Sequence, residues 1–495
     1  MRLVDTIMRT WLYHPFRVAM VDDQQQWRGL KAWSAARHIA RVIEQASSQP
    51  RIGIMLPTSG TTVASFAATW LLGRTAVPLN YLFAREELKY VIRHAELDAV
   101  VTVGPMLKHF GDLPEGVKAI KLDEITFKGL PPMFRSLTRR DDHVAVILYT
   151  SGTSGRPKGV MLTTENLLAN VEQIKNWVDF SPADCFVSAL PQFHSFGFTV
   201  MSVLPAVIGC KAVFTARFSP PRILQLLKQH NATAFMAIPS MYAALLHAKS
   251  ARPEHFASLR MLASGGEPLP DAVYDGYMER FGVALCEGFG MTETSPVTHL
   301  CRPQEERRGS VGRPMDGVEQ RIVDADGKDV GPDADGELQL RGPNIMAGYF
   351  KDEAATNEAI IDGGWMRTGD MAQADAVGYT RITGRIKEML IIGGENVFPR
   401  EIEDVLVRHE DVAMAAVIGV KDPSRGEVAL AFVEPVPGTS PDPKDLRTFC
   451  RDFLAGYKVP REIRVLDELP KGATGKVQRR ALSKDTGLEP KATEA

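Results

Sequence analysis

The chain has 495 residues, 44% hydrophobic and 24% charged, with 58 Lys and Arg against 60 Asp and Glu. That length exceeds one ordinary hydrophobic core, so several packed units are expected in a globular protein. The formal charge of −2 lacks the basic excess of a nucleic-acid binder, and five scattered cysteines with no C-x-x-C pair make a poor disulfide framework and point to a reduced, cytoplasmic setting.

Val4, Ile7, Met8 and Trp11 share one helical face, predicting an amphipathic first helix rather than a secretory signal. From residue 51 the chain alternates short apolar runs with helical patterns. Strands are expected at 51–57, 76–80 and 98–103, with helices over 61–72 and 85–95 between them. Further strands are expected at 211–215, 234–240 and 260–267, each running into a stretch that holds Gly, Ser or Pro. This rhythm predicts an α/β fold with parallel sheets, whose ligand-binding loops gather at the carboxyl ends of strands. The apolar stretch 196–214 is broken by Pro205, two glycines and Lys211, and makes a poor membrane span.

The texture changes near residue 310. The segment 324–337 is rich in Gly, Asp and Pro, and its D-G pairs mark tight turns between alternating strands at 319 and 337. A small β-rich subdomain is expected over about 310–383. A helix should start near Pro399, followed by a strand at 412, a helix over 442–454 and a strand at 462, which together make a compact α+β unit. The tail after Lys484 is short and polar.

The segment with the clearest chemistry is YTSGTSGRPKGV at 149–160, directly after the apolar run VAVIL. Its glycines let backbone N–H groups approach phosphate oxygens, its hydroxyls donate, and Lys158 adds charge. It is not a Walker A loop, because G-x-x-x-x-G-K-[ST] is absent from the chain. Six further segments follow in order: PQFHSFG at 191, SGGEPLP at 264, GFGMTETSP at 288, WMRTGD at 365, GRIKEMLIIGGENVFPREIE at 384 and PKGATGKVQRR at 470. The set resembles the signature motifs of adenylate-forming enzymes, which include acyl-CoA synthetases, peptide-synthetase adenylation domains and firefly-type luciferases.

The resemblance implies an ATP-dependent ligase with a large N-terminal AMP-binding domain over 1–384, a hinge at 385–388 and a mobile C-terminal domain over 389–495. It places Thr150, Ser151, Gly152, Thr153, Ser154, Gly155 and Lys158 on the phosphates. It gives Thr292 to the α-phosphate, Glu293 to Mg²⁺ and Lys476 to the α-phosphate and carboxylate during adenylation. Gly265, Gly266, Glu267, Gly288, Phe289, Gly290 and Met291 would line the nucleotide, with Phe289 on the adenine face. Asp370 and Arg385 would reach the ribose hydroxyls beside Ile382. Lys387 would be the pivot, and Gly393, Gly394 and Glu395 would admit a pantetheine arm. His194 would stand at the mouth of the acyl pocket; it lacks partners at metal-ligand spacing, which rejects a zinc site.

The wording is most similar to fatty acyl-CoA and acyl–carrier-protein synthetases, and no Asp for a substrate amino group stands near IPSMY at 238. The expected reaction is activation of a medium- or long-chain fatty acid by ATP and transfer to coenzyme A. Loading of an acyl carrier protein, or use of an aryl or other acid, is the alternative.

Overall fold

The computed structural model describes residues 3–127, 129–133, 142–150, 156–393, 395–422, 426–471 and 477–484. Two large sheets dominate the first two thirds. One has seven strands, in the order Gly348–Tyr349, Lys158–Thr163, Val144–Thr150, Thr75–Pro78, Arg51–Ile54, Ala99–Thr102 and Lys118–Lys121. From Val144–Thr150 onward its neighbours are parallel, as the strand–helix rhythm predicts.

The second sheet has nine strands and a parallel centre, in which Cys185–Ser188, Ala234–Ala237, Met261–Ser264 and Cys286–Gly290 run side by side. Helix Gly60–Leu71 joins the two layers. Ser59 caps its start by accepting from Thr62 N, and nearly every residue of it is buried. Phe66 and Trp70 meet Phe198 edge-on at 4.9 and 6.1 Å, which welds this helix to the 196–203 segment. Burying each such aromatic contributes about 2–3 kcal/mol.

The 196–214 stretch is a π-helical turn Phe196–Val203, a short helix Leu204–Ile208 and the strand Lys211–Phe214. Pro205 lies where the helical backbone runs on from Val203, and its missing N–H removes one helical bond there. Among the described residues no helix is long and apolar enough to cross a membrane. All five cysteines are buried and free.

Strands Glu319–Val323, Gly336–Arg341, Trp365–Ala374 and Thr380–Arg385 form an antiparallel sheet around Leu338, Leu340 and Met366. Two short strands between Thr298 and Tyr349 leave that unit. Arg313–Pro314 extends the nine-stranded sheet, and Gly348–Tyr349 adds to the seven-stranded one. The C-terminal unit is a sheet built on the long hairpin Val412–Asp422 and Gly426–Pro435, with helices Pro399–Leu406 and Pro443–Phe453 and its own apolar cores. The two units meet closely at Gly384, where a Cβ would stand 2.5 Å from the Phe398 ring, and at Arg408, 4.0 Å from Asp271.

Candidate active site

Strands Val144–Thr150 and Lys158–Thr163 are antiparallel partners, with Thr150 directly opposite Lys158. They clamp both ends of the segment 151–155. Ser151, Gly152, Thr153, Ser154 and Gly155 themselves lie outside the described residues, as do Gly394 and Lys476. The root of the loop is fixed by Tyr149, whose hydroxyl stands 2.8 Å from His94 Nδ1.

Strand Gly348–Tyr349 runs beside Lys158–Thr163 and delivers Tyr349 to the site. Its hydroxyl donates to Glu293 Oε1 at 2.9 Å, and Lys158 Nζ lies 5.1 Å from its ring centroid. Burial and the neighbouring Glu293 carboxylate push the Tyr349 phenol well above its ordinary value, so it remains a donor. Lys158 and Glu293, 135 positions apart in sequence, thus share one aromatic ring.

Glu293 and Thr292 stand on the short turn Thr292–Thr294 after strand Cys286–Gly290, and both are buried. Met346 N donates to Glu293 O at 2.8 Å, and Asn344 Nδ2 donates to Thr294 O at 2.9 Å, which pins the turn. Thr292 Oγ1 donates to Ser195 Oγ at 3.2 Å, and Phe196 N donates to His194 Nδ1 at 3.4 Å. The Thr292–Glu293 turn and the His194 segment therefore face one another.

The glycines explain the close packing behind this turn. A Cβ on Gly290 would lie 1.9 Å from Pro296 O, and one on Gly288 would lie 3.0 Å from Leu300 Cδ1. A Cβ on Gly265 would lie 3.4 Å from Gly288 O and 3.7 Å from the Phe196 ring. Gly266 has φ +87, which favours glycine. Gly265, Gly288 and Phe196 are thus gathered at the carboxyl ends of parallel strands, with Glu267 and Met291 half-buried beside them.

Phe289 faces His299 across 6.0 Å. His299 is fully buried, with Nε2 2.7 Å from Gln320 Oε1, and burial lowers its pKa to about 4. The folded value is depressed below the ordinary one of about 6.5, so the unfolded chain takes up the extra proton as pH falls. Stability attached to this group is present above about pH 6.5 and is lost on going down to about pH 4, by about 3 kcal/mol at most. Urea unfolding at pH 7 and pH 4.5 should therefore show a smaller acid-induced loss in His299→Gln than in the parent. Equal losses would remove His299 from the acid response.

Asp370 and Arg385 are register partners on neighbouring strands, joined by a 2.8 Å ion pair. The Asp370 side chain is 3% exposed and that of Arg385 54%. Ile382 is buried one strand-turn earlier, and Lys387 follows in the turn Ile386–Glu388. Gly393, with φ +63, turns the chain between strands Leu390–Ile392 and Glu395–Val397, so Glu395 starts the second strand of a C-terminal hairpin.

The C-terminal unit also supplies Arg479, at the start of helix Arg479–Lys484. Burial acts against the charged guanidinium, but Glu403, Glu388 and Glu267 more than offset it and raise its pKa. Arg479 donates to both Glu403 oxygens at 2.7 and 2.9 Å. Tyr349, His94 and Arg479 have no role assigned from the sequence. The GYF that ends the 342–350 segment was the available signal for Tyr349.

The model of the AMP-binding enzyme family matches residues 9–350, and that of the AMP-binding enzyme C-terminal domain matches 401–476. The chain is 35% identical over 442 residues to a sulfoacetate–CoA ligase of Cupriavidus necator, covering 86% of each protein. It is 31% identical to a long-chain-fatty-acid–CoA ligase of Bacillus subtilis, covering 87% of this chain and 85% of that one. The crystal structure of ATP-bound MatB from Rhodopseudomonas palustris superposes with a TM-score of 0.88 at 29% identity, covering 98% and 99% of the two chains. The lysine–tyrosine–glutamate cluster, the closely packed glycines at the strand ends and the two-unit architecture thus belong to a member of the AMP-binding enzyme family, an adenylate-forming ligase that joins an acid to coenzyme A.

Proposed function

We propose that the chain activates a medium- or long-chain aliphatic acid with ATP and passes the acyl group to coenzyme A. The observation that carries this reading is the apolar wall beside Gly265 and Gly266. Phe196 and Ile238 are the nearest side chains there, and Met241 packs on the same core. An ionised or strongly polar acyl tail would find no charged partner in that set, whereas a hydrocarbon loses only water. The likeness to a long-chain-fatty-acid–CoA ligase supports the same choice.

In the first half-reaction a carboxylate oxygen attacks the α-phosphorus, and the bond to the β-phosphate breaks as pyrophosphate leaves. Lys158 and the 151–155 loop receive the departing phosphates, while Thr292 donates toward the α-phosphate oxygens. His194, beside Ser195 and opposite Thr292, stands at the mouth where the carboxylate enters. Phe289 and Gly265 to Glu267 flank the purine, Asp370 accepts from the ribose hydroxyls, and Arg385 donates to them. Among the described residues no cluster of three or more His, Cys, Asp or Glu could hold a metal ion. One carboxylate, Glu293, fits a magnesium ion that takes its other ligands from substrate phosphates and water. When bound, that ion would neutralise charge building on the phosphate oxygens.

In the second half-reaction the thiol sulfur of coenzyme A attacks the acyl carbon and AMP leaves. Pivoting at Lys387 would replace Lys476 by the Gly393–Gly394–Glu395 turn, two steps sharing one site. Lys476→Ala tests this. It should lower acyl-adenylate formation by roughly 10²–10³-fold while leaving thioester formation from supplied acyl-adenylate within a few-fold of the parent. Equal losses in both half-reactions would remove the alternation. The chemistry is that of a cytoplasmic enzyme with soluble ATP and coenzyme A as co-substrates.

A further inference from the structure

Helix Leu3–Tyr13 buries Leu3, Val4, Ile7, Met8 and Trp11 and ends in an unusually apolar surface. Tyr13 and Phe16 are 73% and 74% exposed, and Leu12 and Leu30 are 45% and 46% exposed. Two local hydrogen bonds place Leu30 and Phe16 side by side, just after Leu12 and Tyr13. Leu30 N donates to Pro15 O at 2.9 Å and Arg28 Nη1 donates to Phe16 O at 2.7 Å, so the start of helix Gly29–Ala46 is stitched to the turn after the first helix. Four large apolar side chains exposed near one another leave apolar area in water that a contact surface would cover.

The charges of the surrounding stretch are mainly basic. Within residues 6–31 the Lys and Arg residues are Arg9, Arg17, Arg28 and Lys31, and all four are exposed, with Arg17 bonded to Pro182 O and Lys31 to Gln25 Oε1 above the Trp27 ring. The acids of that stretch are Asp22 and Asp23, and both are engaged elsewhere. Asp22 accepts from Trp27 Nε1 at 2.8 Å and Gly60 N at 3.1 Å, and Asp23 is paired with Arg222 at 2.9 Å. Asp5 stands near the far end of the first helix, about 12 Å from Tyr13 at 1.5 Å per residue. A local basic excess on a chain of net charge −2 is selective rather than general.

The cavity beneath this surface, lined by Trp11, His14, Arg17 and Pro205 among others, offers about 20 Å³. That is room for one water and no hydrocarbon tail. The surface is therefore suited to adsorption and not to extracting a lipid. Aromatic and aliphatic side chains ringed by Arg and Lys match the boundary between acyl chains and anionic headgroups.

We propose that the face formed by Leu12, Tyr13, Phe16 and Leu30, ringed by Arg9, Arg28 and Lys31, docks this enzyme on an anionic lipid bilayer. None of these residues belongs to the catalytic set, and the proposal holds whatever acid is used. The full chain is sedimented with vesicles of phosphatidylcholine alone and of phosphatidylcholine mixed with phosphatidylglycerol. It should pellet with the anionic vesicles only, less so as NaCl is raised. Tyr13→Ser/Phe16→Ser and Arg9→Gln/Lys31→Gln should each weaken that binding on the order of tenfold. Both should retain parental pyrophosphate exchange with a water-soluble acid in the absence of vesicles, which shows that they fold. Equal pelleting of parent and variants, or no pelleting with anionic vesicles, overturns the proposal. So does a concentration-dependent dimer in light scattering that Tyr13→Ser/Phe16→Ser abolishes, because the face would then belong to a second copy of the chain.

Discussion

Glu293→Gln should lower acyl-adenylate formation by roughly 10²–10³-fold, the scale for removing one charge-stabilising group from an active site. The fold should survive, because the surroundings of the turn are held by its backbone. Met346 N is bonded to Glu293 O and Asn344 to Thr294 O, and neither bond uses the carboxylate. The glutamine amide oxygen can still accept from Tyr349, which preserves the 2.9 Å contact and the ring under Lys158. What disappears is negative charge alone. The loss should therefore appear in ATP binding measured by calorimetry with magnesium present, and should vanish when ATP is titrated without the metal. An equal loss in both titrations would make Glu293 a scaffold for Tyr349 rather than the residue that would hold the ion.

The second large effect falls on the ribose. Asp370→Ala should reduce kcat/KM for ATP by roughly 10²-fold, since hydrogen bonds to a charged group contribute about 1.5–3 kcal/mol each. Stability should change far less, for a geometric reason. The Asp370 carboxylate is deeply buried, but its partner Arg385 is 54% exposed and can be solvated once the pair is broken. The discriminating substrate is 2′-deoxy-ATP. The parent should use it much less well than ATP, and in the variant the two nucleotides should become nearly equivalent. A variant that keeps the parental preference would place the ribose elsewhere.

Much of the fold could be read from the chain because burial and chain direction are local signals. The β-branched runs at 51, 99 and 144 are strands, the D-G turns at 326 and 335 separate antiparallel neighbours, and Pro399 opens a helix. Periodicity missed other features because they depend on distant partners. Phe196–Val203 is π-helical where it packs against Phe66 and Trp70 and carries the residues leading away from His194. Nothing within those eight residues announces that turn.

The site divides in the same way. Gly288 and Gly290 stand out in the sequence, and the reason is visible only in space, where Leu300 and Pro296 occupy the positions a Cβ would need. Asp370 and Arg385 lie 15 positions apart, and sheet register brings them together. Tyr349 escaped notice because its importance comes from a two-residue edge strand that leaves its neighbours to join Lys158–Thr163. The acid is the least legible element, since recognition of an apolar group depends on shape, and the side chains beside Gly265 and Gly266 come from the separate 196 and 238 segments.

The most direct test is therefore made on the acid. ATP–pyrophosphate exchange is measured across a panel running from sulfoacetate and malonate through aromatic acids to saturated fatty acids of increasing length, followed by detection of the coenzyme A thioester. The account predicts exchange and thioester formation that rise from short to medium- and long-chain aliphatic acids, with the small dianions near background. Exchange confined to the small dianions, or no exchange with any acid, would contradict it.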